Sequence, residues 1–145
     1  MIPALREAKG QARWALEFIR TVMLLLCLVG WVMYPLELLL LEHWTEAWQS
    51  RIPFFVAVPG FIFTLWVLFD RKTSWVRWAF LLTMWASVLT GALGAYFHLL
   101  WNFEGEVDWD FAAAMEAMAG SRPVLAALAF THMGVTGLLS IYRAR

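Results

Sequence analysis

Apolar residues along this chain fall into four long blocks separated by short polar intervals, and the blocks are too continuous for the one-sided faces of a soluble domain. From Thr21 to Leu41 only Pro35 and Glu37 interrupt the first block. The residues before it mix Arg6, Glu7, Lys9, Arg13, Glu17 and Arg20 with Leu5, Trp14, Leu16 and Phe18, a pattern that predicts an amphipathic helix running into the membrane. The first span is therefore set at residues 14–42. The second, 53–69, is short and carries Pro59-Gly60, which predicts a kink. The third covers 75–101, and the fourth 123–142 with Pro123 in its first turn, where no amide partner is needed. Between the last two, Asp110-Phe-Ala-Ala-Ala-Met-Glu-Ala-Met-Ala-Gly120 predicts a short helix over 110–119, capped by Asp110 and closed by Gly120. Phe111, Met115 and Met118 share one face of it and suit the membrane interface. The expected fold is all-α: a polytopic membrane protein, a four-transmembrane-helix bundle with a short interfacial helix between spans three and four, in one domain over residues 1–145.

Composition strengthens this reading. Of 145 residues, 62% are apolar and 15% charged, against about 45–50% and 25% in ordinary soluble domains. The mean hydropathy is +0.66. The length holds about four spans of roughly 20 residues with short connections, and excludes a large transporter.

The net charge of zero conceals an asymmetry. With both termini cytoplasmic, nine of the eleven basic residues lie inside, and only Arg51 and Arg122 outside. The outer side collects Glu37, Glu42, Glu46, Glu104, Glu106, Asp108, Asp110 and Glu116, an excess of six negative charges. A multi-pass protein of the bacterial cytoplasmic membrane with an anionic outer cap follows. Trp14, Trp44, Trp48, Trp75, Trp78 and Trp101 fall near predicted boundaries, where tryptophan belts form.

Inside the spans the chemistry-bearing residues are Glu37, His98 and His132, each predicted to face the bundle interior because an ionisable group in hydrocarbon must be paired or hydrated. On span three, Ser87, Gly91, Gly94, His98 and Asn102 form one stripe. On span four, Ala129, His132, Thr136 and Ser140 form another, with Gly134 and Gly137 as a separate small-residue surface. Three readings of this polar seam stay open. It is helix glue, with His98 bonding Glu37 or a carbonyl. It is a site for a divalent transition metal, with Glu37, His98 and His132 as ligands and Glu104 or His43 completing the shell. It is a haem or chlorin site ligated by His98 and flanked by Gly94, Trp101 and Asn102. The run Gly94-Ala-Tyr-Phe-His98-Leu-Leu-Trp101 resembles the pigment-ligating helices of light-harvesting polypeptides.

Other chemistries are excluded. The acids from Glu104 do not form a calcium loop, because Trp109 and Met115 stand where glycine and glutamate are needed. There is no phosphate loop, GxSxG elbow or basic groove for nucleic acid, and the lone Cys27 lies in an apolar run.

The segment Gly94-Ala-Tyr-Phe-His98-Leu-Leu-Trp-Asn102-Phe-Glu104-Gly-Glu106, followed by Pro123-Val-Leu-Ala and Gly134-Val-Thr-Gly137-Leu-Leu-Ser-Ile-Tyr142-Arg143, resembles an uncharacterised family of small bacterial four-helix integral membrane proteins. That family shows a Gly-x-Tyr-x-His, Asn and Glu cluster and a glycine-rich last helix ending in Tyr-Arg. The likeness covers roughly a third of the chain, with Trp101 and Ala144 departing from the pattern. It implies a four-helix membrane fold and a functional unit of His98, Asn102 and Glu104, and it implies no particular activity.

These features predict a non-catalytic subunit or assembly factor of a larger membrane complex, in contact with the lipid bilayer and with other membrane subunits or a second copy, and not with nucleic acid. A metal- or haem-dependent membrane redox protein or enzyme, and a small-solute carrier acting as a homodimer, are the competing classes.

Overall fold

The computed structural model describes residues 3–45, 47–103, 110–118 and 124–142, without the side chains of residues 3–9 and 117. Its elements are α1 (Pro3–Leu40), two 3-10 turns (His43–Thr45 and Trp48–Arg51), α2 (Ile52–Phe69), α3 (Ser74–Asn102), α4 (Phe111–Met118) and α5 (Val124–Ser140). No strand occurs among the described residues, as the all-α expectation requires.

Three helical stretches are long and apolar enough to cross a membrane: Gly10–Leu40, Trp48–Phe69 and Ser74–Asn102. The fourth apolar helix, α5, has 17 residues. Large apolar side chains such as Leu40, Phe55, Phe69, Leu82 and Leu125 point outward from these helices. Such a surface suits lipid and not water, so this is a membrane-embedded helical protein.

The most extensive contact joins α3 to α5. Two hydroxyls cross it in opposite directions: Ser87 donates to the Phe130 carbonyl (2.7 Å) and Thr131 donates to the Val88 carbonyl (3.1 Å). Glycines let the backbones come this close. A Cβ on Gly91 would collide with the Thr131 backbone, and one on Gly134 with the Met84 carbonyl. At Gly137 it would meet the Met84 sulfur.

α1 packs on α2 and α5. The Trp31 indole lies against the Cα of Gly60, where any side chain would overlap the ring, and its Nε1 donates to the Thr64 hydroxyl at 2.9 Å. α2 continues as one helix through Pro59-Gly60, and the glycine serves this close contact. Pro35 lies inside α1 and leaves the Trp31 carbonyl without its amide donor. Leu24, Cys27, Phe80, Met84, Phe130 and Met133 fill the core between the helices.

At the end holding the α2–α3 connection, Glu17 bridges two guanidinium groups. Arg20, only 6% exposed, donates to Glu17 Oε1 and to the Tyr142 carbonyl at 2.7 Å. Arg71 donates to Glu17 Oε2 and to the Thr21 hydroxyl. The clamp ties α1 to the end of α5 and to the α2–α3 turn. Within that turn Asp70 accepts from the Thr73 hydroxyl and from the N–H groups of Lys72 and Thr73, just ahead of α3. Asp110 caps α4, accepting from the Ala113 N–H at 2.7 Å as the sequence predicts. Gly120, the predicted stop of that helix, lies outside the described residues.

Two expectations follow. Gly134→Leu forces the α3–α5 backbones apart and is expected to cost about 1–3 kcal/mol, whereas Ser87→Ala removes one interhelical bond and costs about 0.6 kcal/mol; reversible unfolding of the purified protein in mixed micelles measures both. The bonds from Thr73 and Lys72 hold the Asp70 carboxyl below its ordinary value of 3.8. The stabilisation is therefore full at neutral pH and fades as pH falls through that lowered value. The stability of Asp70→Asn is expected to depend less on pH than the native chain's below about pH 4.

Candidate functional site

At the opposite end of the bundle from the Glu17 clamp, a cavity of about 480 Å3 lies among α1, the two 3-10 turns and the adjoining parts of α2, α3 and α5. The turns place its polar wall. Glu42 takes a left-handed backbone (φ 53°), so α1 stops and the chain doubles back over its own end. The Glu42 carbonyl accepts from both the N–H and the hydroxyl of Thr45, closing a turn that carries His43 over the cavity. The next turn brings in Gln49 and buried Ser50.

α3 supplies the facing wall with Gly94, Phe97, His98 and Trp101. His98 is buried, and its ring meets His43 edge-on, with centroids 5.8 Å apart. Trp101 lies 6.4 Å from His98 and stacks on Phe97 at 5.8 Å. Tyr34 and Phe130 also line the cavity, 5.9 Å apart. Glu37, one turn beyond Tyr34 on α1, contributes a carboxylate and is exposed. The remaining lining is largely aliphatic, including Leu38, Leu41, Ile52 and Leu93.

Of the predicted site residues, Glu37, His43, Gly94, His98 and Trp101 thus share one cavity. Asn102 is half-buried at the end of α3 and does not line it. Glu104 lies outside the described residues. His132 is exposed on the outer face of α5, which corrects the expectation that it faces the bundle interior. The reason is the choice of face. α5 docks through Phe130, Met133, Gly134 and Gly137, and His132, two residues from both Phe130 and Gly134, points the other way. The glycine surface forms the seam with α3, and of the predicted polar stripe His132 faces away while Ser140 is buried.

Among the described residues no three His, Cys, Asp or Glu side chains are grouped to hold a metal ion. The ligand set of Glu37, His98 and His132 is therefore not assembled. Nor does the small-residue stripe leave an open slot beneath His98 for a flat macrocycle. Gly91 is occupied by the Thr131 backbone, and a Cβ on Gly94 would meet the Ala127 Cβ at 3.1 Å. Sequence reasoning missed Tyr34, Phe97 and Phe130 as wall residues. Tyr34 and Glu37 lie three apart, as do Gly94 and Phe97, and that spacing was the available signal.

Comparison with known families, curated proteins and solved structures returns no match.

The left-handed residue is open to a direct test. Glu42→Gly is expected to be neutral or stabilising, because glycine adopts this backbone without steric cost. Glu42→Ile is expected to destabilise by about 1–2 kcal/mol, as measured by unfolding in micelles.

Proposed function

We propose that this is a four-span protein of the bacterial cytoplasmic membrane, with both termini cytoplasmic, that works as a non-catalytic subunit or assembly factor of a larger membrane complex. α5 is the fourth span and α4 lies along the outer interface. Nine of eleven basic residues then fall on the cytoplasmic side, where the Glu17 clamp sits, and the cavity opens outward. The α4 face of Phe111, Met115 and Met118 is exposed, as an interfacial helix requires.

The observation that carries the reading is His132. It lies eight residues from either end of α5, about 12 Å of helix, on an exposed face among Leu128, Val135 and Leu139. An imidazole facing hydrocarbon with no partner costs about 1–3 kcal/mol. Thr136 beside it uses its hydroxyl on the His132 carbonyl at 2.9 Å and leaves the ring to others. A neighbouring membrane helix that presents a hydrogen-bonding group satisfies the ring, and helices in lipid associate through such polar contacts.

In a Cys27→Ala background, Val135→Cys, on the same exposed face and with the His132 ring left in place, is expected to form a crosslinked product in native membranes. A product of twice 16.7 kDa identifies a second copy, and a larger adduct of other mass identifies a different subunit. A crosslink-free, monomeric species by native electrophoresis refutes the assembly role. Arg51→Cys in the same background is expected to react with an impermeant maleimide in intact cells, and Lys72→Cys only after lysis; the reverse pattern inverts the topology.

A further inference from the structure

The end cavity is the feature that the assembly reading leaves unused, and its lining has a definite charge. Among the described residues that line it, Glu37 is the one carboxylate and there is no Lys or Arg. The nearest cation by sequence, Arg51, is exposed and directs Nε to the Trp44 carbonyl at 3.3 Å. Four aromatic rings, Tyr34, Phe97, Trp101 and Phe130, surround the space, with His43 and His98 at its polar edge. The volume of about 480 Å3 falls in the range of sites for small organic ligands.

We propose that this cavity binds an amphipathic organic monocation: a protonated amine or an onium ion carrying apolar substituents. Each part of such a ligand has a counterpart on the wall. The charge meets Glu37 and the faces of the aromatic rings, which attract weakly hydrated cations through their quadrupoles. The substituents fill the aliphatic part between Leu38, Leu41, Ile52 and Leu93. Glu42 stands exposed at the turn above and adds negative potential at the approach.

Other occupants fit less well. A transition metal lacks a third ligand among the described residues. An anion is opposed by Glu37. A neutral acyl chain fills the apolar part but gains nothing from the carboxylate it desolvates. Glu37 lies in the last turn of α1, so a cation held there sits at the depth where amphiphiles partition, with apolar parts toward the bilayer and charge toward water.

The inference does not depend on the assembly reading, and the test reads the two separately. Isothermal titration of the purified full-length protein in dodecyl maltoside at pH 8 uses tetraphenylphosphonium as the probe and the isosteric anion tetraphenylborate as its control. Saturable binding of one phosphonium per chain is expected, at least tenfold tighter than borate. Glu37→Gln is expected to weaken it at least tenfold, and Phe97→Leu severalfold. If Glu37→Gln does not fold, Glu37→Asp retains the charge and is expected to keep the preference for cation over anion. Equal affinity for the two ions, an unchanged constant in Glu37→Gln, or no saturable binding overturns the proposal. Native electrophoresis of the same samples reports assembly whatever the titration shows.

Discussion

The contact on which the rest of this molecule depends is the pair of reciprocal hydroxyl-to-carbonyl bonds between α3 and α5, Ser87 to Phe130 and Thr131 to Val88, made across glycines. In lipid the apolar surface of one helix gains little by leaving hydrocarbon for another helix. Association must therefore come from close packing and from polar groups that find partners. Gly91, Gly134 and Gly137 let the backbones approach, and only then do the hydroxyls reach carbonyls on the opposite helix. α1 joins the same seam on weaker terms, with the Cys27 sulfur 3.6 Å from the Met133 carbonyl and Gly30 against the Met133 side chain.

The cavity is a consequence of where that seam ends. Along α3 the small residues stop at Ala95, and Phe97, His98 and Trp101 follow. Rings of that size cannot sit in the glycine-spaced contact, so the helices meet there around a space and not along a groove. α1 stops at Leu40, and the left-handed Glu42 turns the chain back over the opening with His43 and the Gln49–Ser50 turn. The strained residue therefore lies where the polar rim is built, and its conformation holds His43 against His98.

The helical elements were legible in the sequence because lipid-facing helices need apolar residues on every exposed side, and such blocks are read directly from composition and length. Asp110 as a cap was legible because that chemistry is local. Three things were not. The docking face of α5 was hidden because both its polar stripe and its glycine surface satisfy the same spacing rules, and the choice depends on what α3 presents opposite. Between the first two spans His43 was legible as a candidate site residue, but the two 3-10 turns there, and Gln49 and Ser50 on the second of them, were not. The Glu17–Arg71 ion pair joins residues 54 apart, and nothing in a linear charge pattern pairs them.

The two ends of the bundle handle charge in opposite ways, and the difference bears on function. At the α2–α3 end, Arg20 is buried, so its guanidinium must be neutralised within the fold. Glu17 does this while also holding Arg71, and the Tyr142 carbonyl takes a further bond. Removing Glu17 leaves a buried cation, so the group is spent on holding three elements together. At the cavity end, Glu37 is exposed and lines a space that has no Lys or Arg among its described lining residues. Glu17 is itself exposed, but a carboxylate already held by two guanidinium groups is committed to structure. One facing an aromatic cavity is not spent in this way, and that contrast is why we propose the cavity, and not the clamp, as the place where a ligand binds.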